Sequence, residues 1–239
     1  LGIAGSADQP HPVIGKRIPV IFALVADPVA AKITHTFNNH GRNICGVTHV
    51  APLSAQLLAM RSYRPVAGVG IIYNQLEPNS VANVTEWQRL GKAGNFAVVA
   101  ENFPVSQIGQ LLPSSSETNT KIIDRIAKSG VNWLYLGPDS YLFSQLDSVA
   151  TAATERGLMT FAAVESMLNS NAPIMSGLVS KFYQVGQFAA LKAQQVLSGQ
   201  SNIPIETLKR FSFIIRLDTA KMLSAYPPLG LIDYAEFRR

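Results

Sequence analysis

Two kinds of apolar pattern alternate along this chain, and that alternation constrains the fold more than any other feature. Strand-length runs of nearly continuous apolar residues take turns with longer amphipathic runs of helical length. Residues 19–25 read as a buried strand; Asp27-Pro28 ends it and opens a helix through about Phe37. Residues 43–47 are a second strand, 54–61 a helix stopped before Pro65, 69–73 a third strand and 74–78 a loop. Asn79 or Ser80 then caps a helix with Val81, Val84, Trp87 and Leu90 on one face. Residues 96–99 form a strand, and the Ser- and Gln-rich stretch 104–120 a long loop with room for one short helix. Ile122, Ile123 and Ile126 mark a helix ended near Gly130, residues 133–136 a strand, Ser140 to about Arg156 a helix, and 158–162 a further strand. Strands apolar along their whole length are buried on both faces, so the pattern predicts an α/β fold with parallel sheets covered by helices.

Composition narrows the function classes. At 47% hydrophobic and 15% charged residues the chain is not a disordered one. It has no apolar run approaching the ~18 residues of a membrane-spanning helix. A chain of 239 residues can bury a full core without disulfides or metal, as one large domain or two lobes. The single cysteine, Cys45, sits in a strand, cannot form an internal disulfide and reads as a small buried hydrophobe. The net charge of +5 is spread over dispersed cations such as Lys121, Arg125, Lys128, Lys192, Lys209, Arg210, Arg238 and Arg239. That is a solvated basic surface, not a nucleic-acid-binding block. His35 and His40 are off a common helical face and read as surface residues, not metal ligands. Trp87 and Trp133 read as core. Gly68-Val69-Gly70 precedes its strand, so it is no nucleotide fingerprint, and no cofactor is expected. Leu1 to Gly5 reads as the end of a strand running into a loop, without Met or signal features. A fragment that has lost its upstream part is therefore expected.

Open parallel sheets bind ligands beyond the carboxyl ends of their strands, where helix N-termini point. The polar residues placed there are Ser6, Asp27, Thr48 (with His49), Asn79, Ser80, Asp139, Ser140 and Glu165. The set is rich in hydroxyls and carboxylates but has no nucleophile–base pair, and the chain has no glycine-rich phosphate loop, so an enzyme is not expected. Asp27, Asn79-Ser80 and Asp139-Ser140 are also natural helix caps, so each has a structural reading beside the ligand one. Glu165 is less readily explained as a cap.

Residues 18–30, Ile-Pro-Val-Ile-Phe-Ala-Leu-Val-Ala-Asp-Pro-Val-Ala, and Gly70-Ile71-Ile72-Tyr73-Asn74 followed by Glu77-Pro78-Asn79-Ser80-Val81 resemble one family. It is that of the ABC-transporter substrate-binding proteins of the tryptophan- and phenylalanine-binding type, with the type I periplasmic binding fold. Val196-Leu197-Ser198-Gly199-Gln200 with Ile203-Pro204-Ile205-Glu206 resembles the family's helix end and "G-x-x-x-x-x-P-V-E" connection. Phe213 to Ala220 resembles its "V-I-N-L-K-T-A" segment, and Pro227-Pro228-Leu229 its late turn. The resemblance spans nearly the whole chain. It implies two Rossmann-like lobes that close on a small ligand, with roughly two strand–helix units upstream of Leu1 and hence an incomplete first lobe. Lobe I would hold residues 1–65 and 172–200, and lobe II residues 66–171 and 201–239, with hinges near Pro65-Val66, Ala172-Pro173 and Ser201. It further implies a receptor of an ABC importer, periplasmic or a cell-surface lipoprotein, that binds an amino acid or related carboxylate. Its partners would be permease subunits, not nucleic acid, and it would meet the membrane only through the transporter or a lost lipid anchor. The ligand-sensing domain of a regulator with the same fold is the alternative. For an amino acid, Ser6 and Ser80 could serve the carboxylate, and Asp27, Asp139 and Glu165 the ammonium. The chain departs from the family at Gly5-Ser6-Ala7-Asp8, where "G-T-P-A" is usual. It departs again at Lys181, a cation in place of an acid, and at Arg216, in place of a neutral Asn.

Overall fold

The computed structural model describes residues 5–38 and 42–239. His40 and the residues 1–4 singled out above lie outside the described residues. Ten strands and eight α-helices follow in chain order among those described. They are β1 (Val20–Val25), β2 (Ile44–Thr48), α1 (Leu53–Tyr63), β3 (Gly68–Tyr73), α2 (Pro78–Gly94), β4 (Ala97–Asn102), α3 (Ser116–Lys128), β5 (Trp133–Leu136), α4 (Ser140–Ser144) and α5 (Leu146–Glu155). The remainder are β6 (Met159–Ala162), α6 (Glu165–Leu168), β7 (Ser176–Val179), α7 (Phe182–Leu197), β8 (Ile205–Thr207), β9 (Ser212–Arg216), α8 (Leu217–Met222) and β10 (Ala235–Arg238).

The chain divides into two compact units, one of Leu1–Val50 with Ser180–Phe211 and one of Ala51–Val179 with Ser212–Arg239. These boundaries differ from the expected ones. Helix α1 belongs to the second unit because it packs on β7 and α2. Strand β8 belongs to the first because it pairs with β2.

In the first unit β1, β2 and β8 form a parallel sheet in the order β1-β2-β8. Helix α7 packs on β1 and β2. Phe22, Ile33, Ile44 and Ile205 form its small core, flanked by Ile14, Val20 and Val25. Lys192 of α7 is buried, and its Nζ donates to Glu206 Oε2 at 2.7 Å and to the Pro204 carbonyl at 2.6 Å. That pair of bonds ties the helix to β8 and satisfies a charge that burial would otherwise penalise. Cys45 is a free, buried thiol in β2. A Cβ on Gly46 would lie 2.5 Å from the Phe22 ring. Gly46→Ala should therefore cost about 1–3 kcal/mol by overpacking, read as a lower urea midpoint; an unchanged midpoint would mean the ring has room to turn.

In the second unit seven strands run in the order β10-β9-β7-β6-β5-β3-β4. The neighbours are parallel, as the pattern predicts, with one antiparallel pair, β7 and β9. The chain between these two strands passes through the first unit, so no local βαβ crossover sets their relative direction. Side chains alternate across the sheet. Trp133 and Tyr135 of β5 meet Tyr63 of α1 and Trp87 of α2 edge-on. On the opposite face Gly70 is packed against Ile126 of α3. Trp87 and Trp133 are fully buried, as read from the sequence.

Three sequence-predicted elements are corrected. The helix after Asp27 is only a series of turns. Asp27 caps one turn, but Lys32 takes a left-handed φ of 53° and ends it. The helix predicted from Ser140 to Arg156 breaks at Gln145 into α4 and α5. The loop before α3 is shorter than expected and contains no helix; Ser115 caps α3 by accepting from the Thr118 N–H at 3.1 Å.

Candidate functional site

Strands β3 and β5 are parallel neighbours, so the loops that follow them emerge side by side at the carboxyl edge of the second unit's sheet. Pro78 stands at the first turn of α2, where its missing N–H costs nothing, and Glu77 is the N-cap residue. This corrects the expectation that Asn79 or Ser80 caps the helix: both lie inside its first turn. It also shifts the buried face to Ser80, Val84, Trp87 and Gly91, leaving Val81 exposed. The freed side chains reach across to the β5 loop. Ser80 Oγ donates to Asp139 Oδ2 at 2.6 Å, and Asn79 Nδ2 to the Pro138 carbonyl at 2.6 Å.

Asp139 is the centre of this arrangement. Its Oδ2 also accepts from the Asn74 N–H at 2.7 Å, and its Oδ1 from the Leu142 N–H at 2.8 Å, capping α4. It is 4% exposed, so its lone pairs are spent on protein donors. Glu77 makes the rim. Its Oε2 accepts from the Ser140 N–H at 3.0 Å, and its Oε1 from Ser140 Oγ at 3.3 Å and Asn79 Nδ2 at 3.2 Å. Asn79, Ser80, Asp139 and Ser140 are thus brought together, with Asn74 and Glu77 added by the structure. Sequence reading left both additions in a loop. The signal for Glu77 was its place directly before a helix-opening proline. Glu165 opens α6 after β6, the strand next to β5, and is half-buried.

The remaining candidates are in the first unit. Ser6 Oγ accepts from the Gln9 N–H at 2.9 Å. Asp27 Oδ1 accepts from the Val29 and Ala30 N–H groups, each at 2.9 Å. Their loops are joined by the Ala7 N–H donating to the Lys32 carbonyl at 2.7 Å. Thr48 hydrogen-bonds the Thr207 hydroxyl across the β2–β8 pair. His49 is buried beside the Phe182 ring, with centroids 6.0 Å apart. Burial pushes its titration down to about 4, against the opposing pull of the Val25 backbone. Arg216, a departure noted in the sequence, donates from Nη1 to the carbonyls of Ser170 at 3.1 Å and Ala172 at 2.6 Å. Its charge is thereby committed to holding that turn. Among the described residues no group of three or more His, Cys, Asp or Glu side chains could hold a metal ion. Nor is any described helix long and apolar enough to cross a membrane.

The second unit therefore presents the half-buried Glu77 carboxylate and the exposed Ser140 hydroxyl over the buried, hydrogen-bonded Ser80–Asp139 pair. That suits holding a small polar molecule. Residues 1–235 match the model of a family described as ABC transporter substrate binding protein. A tyrosine-binding protein of Clostridioides difficile is 30% identical over 211 residues, which is 87% of this chain. The chain spans 57% of that relative's length. Among solved structures, a conserved domain protein from Vibrio cholerae has a TM-score of 0.77 at 20% identity, covering 93% of this chain and 72% of that one. An ABC domain in complex with L-Trp from Streptococcus pneumonia has a TM-score of 0.75, again at 20% identity and with the same coverage of both chains. A ligand-free, open substrate-binding protein with adhesive properties from Clostridium difficile has a TM-score of 0.73 at 22% identity, covering 94% and 72%. These structures share the fold, which is that of the type I periplasmic binding proteins. The chain belongs to the ABC transporter substrate-binding protein family, a family of binding proteins and not of enzymes.

Proposed function

We propose that this protein is the extracytoplasmic solute receptor of an ABC importer and takes up a small polar metabolite, an amino acid, by hinge closure, delivering it to permease subunits. The observation that carries the reading is the family match over residues 1–235. A relative that is a tyrosine-binding protein and a structural neighbour in complex with L-Trp support an aromatic amino acid as the ligand. The chemistry of the second unit supports the same class. Glu77 and Glu165 bring carboxylates, the partner an ammonium group needs, and the Asn79 amide and Ser140 hydroxyl donate to Glu77 and hold its carboxylate in place. In this reading Ser80 and Asp139 hold the rim in place instead of touching ligand. In the first unit Ser6, Asp27 and Thr48 lie on the loops and strand end proposed to contribute to ligand binding.

Differential scanning calorimetry with L-Tyr, L-Trp and the other amino acids tests this. A binder should raise the melting midpoint progressively, by about 2.7 kcal/mol of stability at a hundredfold excess over Kd. Glu77→Gln should weaken that response at least tenfold in Kd while leaving the unliganded midpoint almost unmoved. No response to any amino acid would overturn the ligand class. A large drop in unliganded stability would instead make Glu77 a structural residue.

A further inference from the structure

The net charge of +5 lies wholly in the first unit. That unit carries eight Lys and Arg residues against three Asp and Glu, whereas the second carries twelve of each. Its three acids are already engaged: Glu206 by Lys192, Asp27 by the turn it caps, and Asp8 by His35 at 3.8 Å. A positive excess confined to one unit points to an anionic partner there.

Part of that charge gathers at an open pocket of about 450 Å³. Pro19 and Asn43, which line it, stand directly before β1 and β2. The pocket is therefore at the amino edge of this parallel sheet, the end opposite Thr48. Lys16 enters from the segment before β1, Arg42 from the segment before β2, and Gln200, Ser201 and Asn202 from the turn between α7 and β8. No Asp or Glu is among the described residues that line it. Arg42 is half-buried, and its Nη1 donates to the Ile33 carbonyl at 2.7 Å, which fixes the guanidinium. Burial pushes its titration down, so this cation is partly stripped of water.

Cations near a helix C-terminus often serve its unpaired carbonyls. At the end of α7 that task is already done. The Gln194, Gln195 and Val196 carbonyls accept from the Ser198, Gln200 and Gly199 N–H groups of the turn that ends the helix. The side chains of Lys16, Asn43, Gln200, Ser201 and Asn202 engage no protein partner among the described residues. Polar groups thus converge from three segments on one space that holds two positive charges and no negative one. A carboxylate is planar and presents two oxygens; a phosphoryl group is tetrahedral, presents three, and suits donors set on several sides.

We propose that this pocket is a binding site for a phosphate-bearing anion, a phosphorylated small metabolite or the headgroup of an anionic phospholipid. Lys16 and Arg42 supply the charge, Arg42 through a planar fork and Lys16 as a mobile point charge. Asn43 and the Gln200–Asn202 turn supply neutral donors. The volume falls within the roughly 300–1,000 Å³ of small-molecule sites, so it has room for the organic part of the ligand beside its phosphoryl group. The site is at the other edge of the sheet from Thr48 and stands whatever solute the protein carries.

Calorimetric titration of the full chain with glycerol 3-phosphate, and sedimentation with phosphatidylglycerol vesicles, test this. Saturable binding is expected, weakened about tenfold or more by Lys16→Glu. Lys209→Glu is the control: Lys209 is an exposed cation of the same unit outside the pocket, and its reversal should change Kd by less than about twofold. Both lysines are exposed, so neither change should move the unliganded melting midpoint. Saturable binding to neither probe would overturn the site. So would an unchanged Kd in Lys16→Glu, or equal losses in the two variants, which would mean diffuse surface charge. The two probes also assign the source. Sedimentation with phosphatidylglycerol but not phosphatidylcholine vesicles, lost in Lys16→Glu, upholds the site as one for a lipid headgroup. Binding of glycerol 3-phosphate without vesicle binding upholds it as one for a free metabolite.

Discussion

Replacing Asp139 with alanine should be among the most damaging single changes to the second unit, lowering its unfolding free energy by about 3–5 kcal/mol. The figure follows from what the carboxylate holds. With it gone, the Asn74 N–H loses its acceptor at the end of β3, and the Leu142 N–H loses its cap at the start of α4. Each is a backbone donor that cannot turn to find water, and each costs about 1–3 kcal/mol when left buried and unpaired. The Ser80 hydroxyl can rotate, so it adds less. Ser80→Ala alone should accordingly cost only about 1 kcal/mol. Asp139→Asn should fall between the two, because its amide keeps one acceptor oxygen and must place a donor where the other stood. Urea denaturation measures the losses. Faster hydrogen exchange at Asn74 and Leu142 would assign them to these bonds. A loss within about 0.5 kcal/mol, the range of an ordinary surface change, would show that Asp139 does not hold this rim together.

That reading of Asp139 marks where the sequence spoke and where it fell silent. The strands were legible because a strand buried on both faces is apolar at every position: Ile71-Ile72 and Trp133 to Leu136 have no other comfortable place. Most helix faces were legible from their period, as at Ile122, Ile123 and Ile126. The helix after Asp27 was not, because its end is set by the left-handed backbone at Lys32, which no apolar pattern announces. The cap of α2 was misplaced because Asn79 and Ser80 have good capping side chains, yet Pro78 fixes the first turn one residue earlier. Of the proposed site residues, Asn79, Ser80, Asp139 and Ser140 were singled out by their places after strands, and the structure brings these four together. Their pairing was hidden, since Ser80 and Asp139 are 59 residues apart and meet only because β3 and β5 are adjacent in the sheet. Glu77 and Asn74 were missed for the same reason. Their roles depend on what lies across the sheet edge and not on their neighbours in the chain.

A second large effect concerns acid. Stability should fall by about 3 kcal/mol as the pH drops from 6.5 to about 4, and His49 should be the cause. The folded chain holds this buried imidazole neutral, with its titration pushed down to about 4 by burial. In the unfolded chain the ring regains its ordinary value of 6.5. Between those values the unfolded state binds a proton that the folded state refuses, so acid favours unfolding. The contribution is whole above pH 6.5 and is gone once the pH reaches about 4. Carboxylates held down by arginine or lysine partners, such as Glu86, Glu117 and Asp124, lose their own stabilisation only at lower pH, from their ordinary 4.5 or 3.8 downward. The upper part of the window therefore isolates the histidine. His49→Phe keeps a ring beside Phe182 and removes the proton site. It should flatten the dependence between pH 6.5 and 4.5. Because the cause is desolvation and not a neighbouring charge, 1 M salt should leave the wild-type slope nearly unchanged. Chemical denaturation at stepped pH, with and without salt, reads both. A slope that survives in His49→Phe would locate the acid sensitivity elsewhere. One that collapses in salt would mean that charges, and not burial, keep the imidazole neutral.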